Sequence, residues 1–253
     1  MVNPLYKVWL AIRSAFFWMI FLPGVLLTAV VITLCYFFPV KFRVALLKAW
    51  ISFTLFTLRL FCGLRYEVEG LENITHDGVI IMSKHSSTWE TIALQLFFGP
   101  LVWVVKRELT WIPFFGWALL SMEAIALNRG TGRKAIRQLI DESRERMEKG
   151  RTLMLFPEGT RVLPMQKKPF KIGGAIISER TGFSVLPIAH NAGEFWPRHS
   201  WIKWPGTIKV VIGKPISPEG KSPEQIIEEV GDWITRECDR ISDHAQLQRL
   251  GLR

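Results

Sequence analysis

The sequence predicts an α/β fold: a largely parallel central sheet flanked by helices, with an N-terminal apolar two-helix membrane anchor. Three observations carry this. From Arg65 onward, short near-continuous apolar runs alternate with helical patterns, as in a parallel sheet covered on both faces. Two segments of that region have the 3.6-residue periodicity of amphipathic helices. Ahead of it, Ala15 to Val40 contains no charged residue. The anchor is assigned to residues 1–64 and the α/β domain to 65–253.

A secretory signal peptide has a shorter apolar stretch and a small-residue cleavage site. Here the run continues into Phe37-Phe38-Pro39, so an uncleaved anchor is expected. Pro23-Gly24 interrupts the run and should kink or break the helix. A second apolar run, Val44 to Cys62, holds only Lys48 and Arg59 as charges. Lys7 and Arg13 precede the first run; Lys41, Arg43 and Lys48 follow it. Cytoplasmic flanks are rich in Lys and Arg. A pair broken at Pro23-Gly24 and dipping into one leaflet, with both chain ends cytoplasmic, accommodates all five.

Five buried strands are expected at Val79–Met82, Val102–Val105, Ala124–Leu127, Leu153–Phe156 and Val185–Ile188. Ile208–Ile212 is a sixth candidate, less buried. Thr131–Lys149 reads as a helix with Ala135, Ile136, Leu139, Ile140 and Met147 on one side, stopped by Gly150. Near the end, Ser222-Pro223-Glu224-Gln225 reads as an N-cap, a first-turn Pro and a Gln that completes a capping box. Ile226, Ile227, Val230, Trp233, Ile234 and Ile241 then form an apolar stripe.

With 253 residues and 49% hydrophobic composition, one α/β domain plus an accessory segment fits the length. Eleven Trp and seventeen Phe suit both a core and a membrane interface. The net charge of +10 attracts anions. The chain has no zinc-finger spacing and no aromatic RNA-binding pattern, so no nucleic-acid partner is expected. Cys35, Cys62 and Cys238 are isolated, which suggests reduced, packed thiols and no metal site.

The chemistry-bearing segments follow the strands. Ser83-Lys84-His85-Ser86-Ser87-Thr88-Trp89-Glu90 places a His at a strand end with a carboxylate five positions on. With His85 in the turn and Glu90 in the first turn of a helix, the carboxylate can fix the imidazole tautomer and raise its basicity. Ser87-x-x-Glu90 equally fits a capping box. Leu155-Phe156-Pro157-Glu158-Gly159-Thr160-Arg161 offers a glycine for close backbone approach and a planar guanidinium fork suited to phosphate. It equally fits a Pro-x-Gly surface turn with solvated basic residues, Lys167, Lys168 and Lys171 among them. Lys106-Arg107, Asn128-Arg129-Gly130 and Val185 to Gly193 follow or contain further strands. Ligands of open α/β sheets gather outside the carboxyl ends of the strands. His85, Lys106, Arg129 and Arg161 can therefore converge as one base and three cations.

In this order and spacing the segments resemble the glycerophospholipid acyltransferase family, and among its members the bacterial 1-acyl-sn-glycerol-3-phosphate (lysophosphatidic acid) acyltransferases. The resemblance covers about Arg65 to Pro215. Its most specific motif is Phe156-Pro157-Glu158-Gly159-Thr160-Arg161. The family's first motif is usually Asn/Lys-His-x-x-x-x-Asp; here Glu90, one methylene longer, stands in the last position. The resemblance implies that His85 deprotonates a lipid hydroxyl, that Glu90 orients it, and that Lys106, Arg129 and Arg161 hold the acceptor phosphate. Glu158 and Gly159 belong to that phosphate-binding segment, where they shape the loop. The acyl donor would be acyl-CoA or acyl carrier protein, with no cofactor and no metal. The product would be phosphatidic acid, made at the cytoplasmic face of a bacterial inner membrane. The absence of Gly-x-Ser-x-Gly argues against a serine esterase, and His190 reads as a structural histidine. Two alternatives stay open: a sibling acyltransferase for another lysolipid, such as a lyso-ornithine lipid or lysophospholipid, and a non-catalytic anionic-lipid-binding protein.

Overall fold

The computed structural model describes residues 2–75, 78–128 and 133–252. Arg129, Gly130 and Thr131 lie outside them.

Helix α1 (Pro4–Leu34) opens on Asn3, whose side chain accepts the Leu5 N–H. It runs on through Pro23 without a break, which corrects the interruption expected at Pro23-Gly24. Proline inside a helix removes one hydrogen bond, a loss that packing can offset. Here the packing is dense. Phe17 and Phe21 are buried, and a Cβ on Gly24 would lie 2.7 Å from Trp50 Nε1 of helix α2 (Val40–Cys62). Gly24 thus serves close helix contact. The chain reverses instead at the 3-10 turn Cys35–Phe37 and Pro39. Phe16–Phe61 and Phe21–Trp50 ring contacts show α1 and α2 running antiparallel.

Helix α2 ends on Gly63 in the left-handed region, and strand β1 (Leu64–Glu69) starts at the next residue. The remaining strands are β2 (Ile80–Ser83), β3 (Leu101–Lys106), β4 (Ile125–Leu127), β5 (Thr152–Leu155), β6 (Val185–His190) and β7 (Gly206–Ile212). The described residues form one sheet in the order β1-β7-β6-β2-β5-β3-β4. Every pairing is parallel except β6 with β7. The five strands from β6 to β4 therefore all end on one edge.

Because side chains alternate along a strand, each strand feeds two cores. On one face Ile81, Met154, Leu186 and Ile188 pack with Leu10 and Phe17 of α1 and with Ile51 and Leu58 of α2. On the other, Ile80, Met82 and Leu153 pack with Ala175 and Ile177 of α6 (Gly173–Thr181) and with Ile226, Val230 and Ile234 of α8 (Pro223–Ile241). Both hydrogen bonds of the Ser222–Gln225 capping box are present. Short helices α3 (Trp89–Ala93), α4 (Phe115–Ser121), α7 (Ala192–Phe195) and α9 (His244–Arg249) fill the connections. Helix α5 (Arg133–Glu148) buries Met147 and half-buries Leu139 and Ile140, while Ile136 in its first turn is exposed.

Helix α1 lies along the sheet-bearing part of the molecule instead of projecting from it. A third of the way along it, Ser14 Oγ accepts the Lys203 N–H at 2.9 Å. Near its end, Thr33 Oγ1 donates to the Phe114 carbonyl at 3.1 Å. Past the turn, Arg43 donates to the carbonyls of Tyr36 and Phe38 and, at 2.7 Å, to that of Ser121 in α4.

Candidate active site

His85 sits two residues beyond β2, where the Lys84 N–H still donates to Ile188 O of β6. The sheet ladder thus carries the backbone to the residue before His85. Three further contacts fix His85 itself. Its N–H donates to Glu158 Oε2 at 2.8 Å, its carbonyl accepts the Val162 N–H at 2.9 Å, and its ring stacks on Phe156 with centroids 3.8 Å apart. All three partners come from the segment after β5.

The ring's Nδ1 lies 2.9 Å from Glu90 Oε1. An ionised carboxylate only accepts, so Nδ1 carries the proton and Nε2 keeps its lone pair. Nε2 has no hydrogen-bond partner among the described residues. The same Oε1 accepts the N–H groups of Ser86 and Ser87, each at 2.9 Å. Glu90 therefore orients the imidazole and caps the turn at once. The reciprocal half of a capping box is missing: Ser87 Oγ accepts the Trp89 N–H and donates to the Trp196 carbonyl. Glu90 is fully buried. Burial by itself raises its carboxyl; the His190 ring, the His85 hydrogen bond and the Ser87 amide outweigh that and hold it below the ordinary range.

His190, at the end of β6, is buried, with Nε2 2.8 Å from the Lys84 carbonyl and Nδ1 accepting the Ala192 N–H. Burial depresses its pKa. It is a brace under the His85 loop. The Ser86 hydroxyl accepts from the Gly193 N–H, where a Cβ on Gly193 would come within 2.7 Å of Ser86 Cβ. Both serine hydroxyls are thus engaged structurally.

Gly159 adopts φ 68°, and a Cβ there would meet the Lys171 side chain at 2.8 Å. Glu158 is turned inward and fully buried. It pairs with Lys84 Nζ at 2.8 Å, so it holds the loop and offers nothing to a ligand phosphate. Arg161, next to the Val162 amide that binds His85, is half-buried; its Nε is enclosed without a partner among the described residues. Carrying the strand register forward puts Lys106, at the exposed end of β3, level with Pro157 and Lys84. Arg129 lies outside the described residues. His85, Glu90, Lys106, Glu158, Gly159 and Arg161 therefore share one edge of the sheet. Sequence reasoning missed Lys84 and Phe156, which flank the motifs but reveal their roles only through pairing across strands.

A profile of the Acyltransferase family matches residues 65–191. The chain belongs to this family. Among its relatives is the 1-acyl-sn-glycerol-3-phosphate acyltransferase of Pseudomonas aeruginosa, 45% identical over 196 residues, 76% of each chain. The protein of that name from Saccharomyces cerevisiae is 30% identical over 205 residues, 78% of this chain and 66% of its own. The crystal structure of the 1-acyl-sn-glycerophosphate acyltransferase PlsC from Thermotoga maritima shares the fold, with a TM-score of 0.77, 23% identity, and coverage of 93% of this chain and 97% of its own. As an acyltransferase-family protein the chain carries the fold and the family expected from its motifs.

Proposed function

We propose that this enzyme transfers a fatty acyl group from a thioester donor, acyl-CoA or acyl carrier protein, to the sn-2 hydroxyl of 1-acyl-sn-glycerol-3-phosphate, forming phosphatidic acid. One observation carries the reading: the His85–Glu90 pair leaves Nε2 as an available base in a loop whose backbone is bonded to Val162, the residue after Arg161. The bacterial and yeast relatives are named for the same substrate, which supports the reading. His85 Nε2 takes the hydroxyl proton as the oxygen attacks the thioester carbonyl. Glu90 stabilises the imidazolium that forms. The tetrahedral oxyanion collapses, the C–S bond breaks, and the imidazolium returns its proton to the leaving thiolate. Arg161 and Lys106, with Arg129, hold the acceptor phosphate; the fork of Arg161 matches its oxygens. The test is purified protein with lysophosphatidate and each donor in turn, with the product identified by mass. His85→Ala should lose about 10²–10⁴-fold in turnover with its fold intact. Near-normal turnover would end the assignment.

We further propose that residues 1–64 anchor the enzyme in the cytoplasmic leaflet of a bacterial inner membrane and that residues 65–253 form the catalytic part. Both helices are long and apolar enough to cross a bilayer. Two observations nevertheless support a one-sided anchor. Helix α1 touches the catalytic part at two levels, through Ser14 and Thr33, sites about 28 Å apart at 1.5 Å per residue. The hairpin tip is tied to α4 through Arg43. A hairpin whose tip rests on the catalytic part keeps that tip on the catalytic side. Single cysteines at Asn3 and Phe42 should resist an impermeant reagent applied outside intact cells; strong labelling of either sinks the one-leaflet reading.

A further inference from the structure

Between Glu108 and Glu123 the chain has fourteen consecutive residues without a charge, Leu109 to Met122. They form the connection from β3 to β4, a 3-10 turn (Arg107–Trp111) followed by α4. This segment exposes most of its large apolar side chains. Trp111 is 69% and Trp117 48% exposed, and Ile112, Phe114, Phe115 and Leu120 also face outward. Its fully buried residues are all small, Gly116, Ala118 and Ser121, with Ala118 against Ala29 and Ile32 of α1; of its large apolar side chains Leu119 and Met122 are half-buried, Met122 against that same cluster. A Cβ on Gly116 would come within 2.4 Å of Thr110 O, so the turn and helix are pressed into one compact knob. The segment is amphipathic in the reverse of the soluble sense, with its bulk outside.

We infer that Leu109–Met122 is a third membrane-inserted element, seated in the same lipid leaflet as α1 and α2. Continuity argues for lipid as the occupant. The knob packs on the distal half of α1, whose own outer face exposes Leu26, Leu27 and Leu34. One apolar surface therefore runs from α1 across α4. Its backbone suits a dry environment, because Ile112, Gly116, Ala118 and Met122 donate to the carbonyls of Leu109, Ile112, Phe114 and Ala118. Its rim suits anionic headgroups. Lys106 and Arg107 open the segment, Lys41 stands at the hairpin tip, and the first acidic residue of the whole chain is Glu67. Exposed Trp with basic neighbours is the composition of an interfacial element. The consequence for the site is direct. Lys106 leads straight from the end of β3 into this knob, so insertion sets that cation at the height of the lipid phosphates.

The experiment uses the unaltered full-length protein in vesicles of phosphatidylethanolamine and phosphatidylglycerol, doped with a phosphatidylglycerol carrying a diazirine on its acyl chain. After irradiation, adducts are mapped by peptide mass spectrometry. Adducts are expected on Leu109–Met122 as well as on α1 and α2, with none on the charged helix α5. Adducts on α1 and α2 alone would overturn the inference and leave the anchor standing. Adducts on none of the three would overturn both. Copy-to-copy cross-links through Trp111 or Trp117, with lipid adducts confined to α1 and α2, would assign the knob to a second copy and equally overturn it. In a second arm, Trp111→Ser with Trp117→Ser should weaken vesicle binding of the full chain at least several-fold. Unchanged binding, with lipid adducts absent from the segment, counts against the inference.

Discussion

Lys84 Nζ stands 2.8 Å from Glu158 Oε1, and the other oxygen of that carboxylate takes the His85 N–H at 2.8 Å. One buried side chain from the loop after β5 thus holds two consecutive residues of the loop after β2. The base is positioned by a neighbouring strand as much as by its own.

Breaking this clamp should be asymmetric. Glu158→Gln keeps an acceptor for the His85 N–H but leaves Lys84, only 15% exposed, without its counterion. Removing one partner of a buried pair costs about 3–5 kcal/mol, and the low end is expected here. Lys84→Met should cost less, because burial already pushes the Glu158 carboxyl up despite Lys84, so the acid can take a proton. Thermal unfolding of both variants checks the order; equal losses would contradict it.

Glu90→Gln should separate capping from orientation. The amide oxygen can still accept from Ser86 and Ser87, so the melting temperature should hold. The charge that supports the imidazolium is gone, so kcat should fall by roughly 10². Glu90→Asp keeps the charge and should retain more activity than the Gln variant. A fully active Gln enzyme would reduce Glu90 to a cap.

Arg161→Ala should raise KM for the phosphorylated acceptor more than KM for the acyl donor. Arg161→Lys should rescue only in part, since a point charge does not reproduce a two-pronged fork. Kinetics with each substrate varied separately decide; equal effects on both would make Arg161 structural.

Glu194 predicts a pH effect on stability unconnected with turnover. Burial raises its carboxyl to about 7, although Asp243 N–H, Ser242 Oγ and Asn191 Nδ2 all donate to it. A folded-state pKa above the unfolded value means that the native state holds the proton more tightly. The stability this gives is complete at pH values below about 4.5 and is lost as pH rises towards 7. Glu194→Gln, neutral throughout, should flatten the melting-temperature profile across that interval. A profile as steep as that of the parent would place the titration elsewhere.

The buried strands were legible because both their faces are covered, which leaves continuous apolar runs such as Val185–Ile188. Strand β1 was not. Arg65, Glu67 and Glu69 alternate with Tyr66 and Val68 at the sheet edge, a pattern that reads as surface. The motif residues could be found, and so could their shared edge, since strand ends converge in a parallel sheet. Their wiring could not. Whether Glu90 served the imidazole or the helix was undecidable from spacing, and in the structure one oxygen does both. The Glu158 carboxylate looked inward for a partner, Lys84, that only tertiary pairing supplies. Pro23-Gly24 misled for a related reason: local propensity marks a break, while Trp50, 26 positions further on, makes the glycine a contact point.

Between the last residue of α2 and the first of β1 there is only Gly63, and β1 pairs at once with β7. Such a joint has no slack. On the proposed anchoring, with α1 and α2 in the bilayer, the catalytic part would be bolted to the interface and not leashed to it, and the elevation of His85 would be a constant of the architecture. A membrane-borne acceptor would then reach the base by lateral diffusion in a plane. A lysolipid, the proposed acceptor, whose hydroxyl rode above or below that plane would be discriminated by altitude before any chemical group was read.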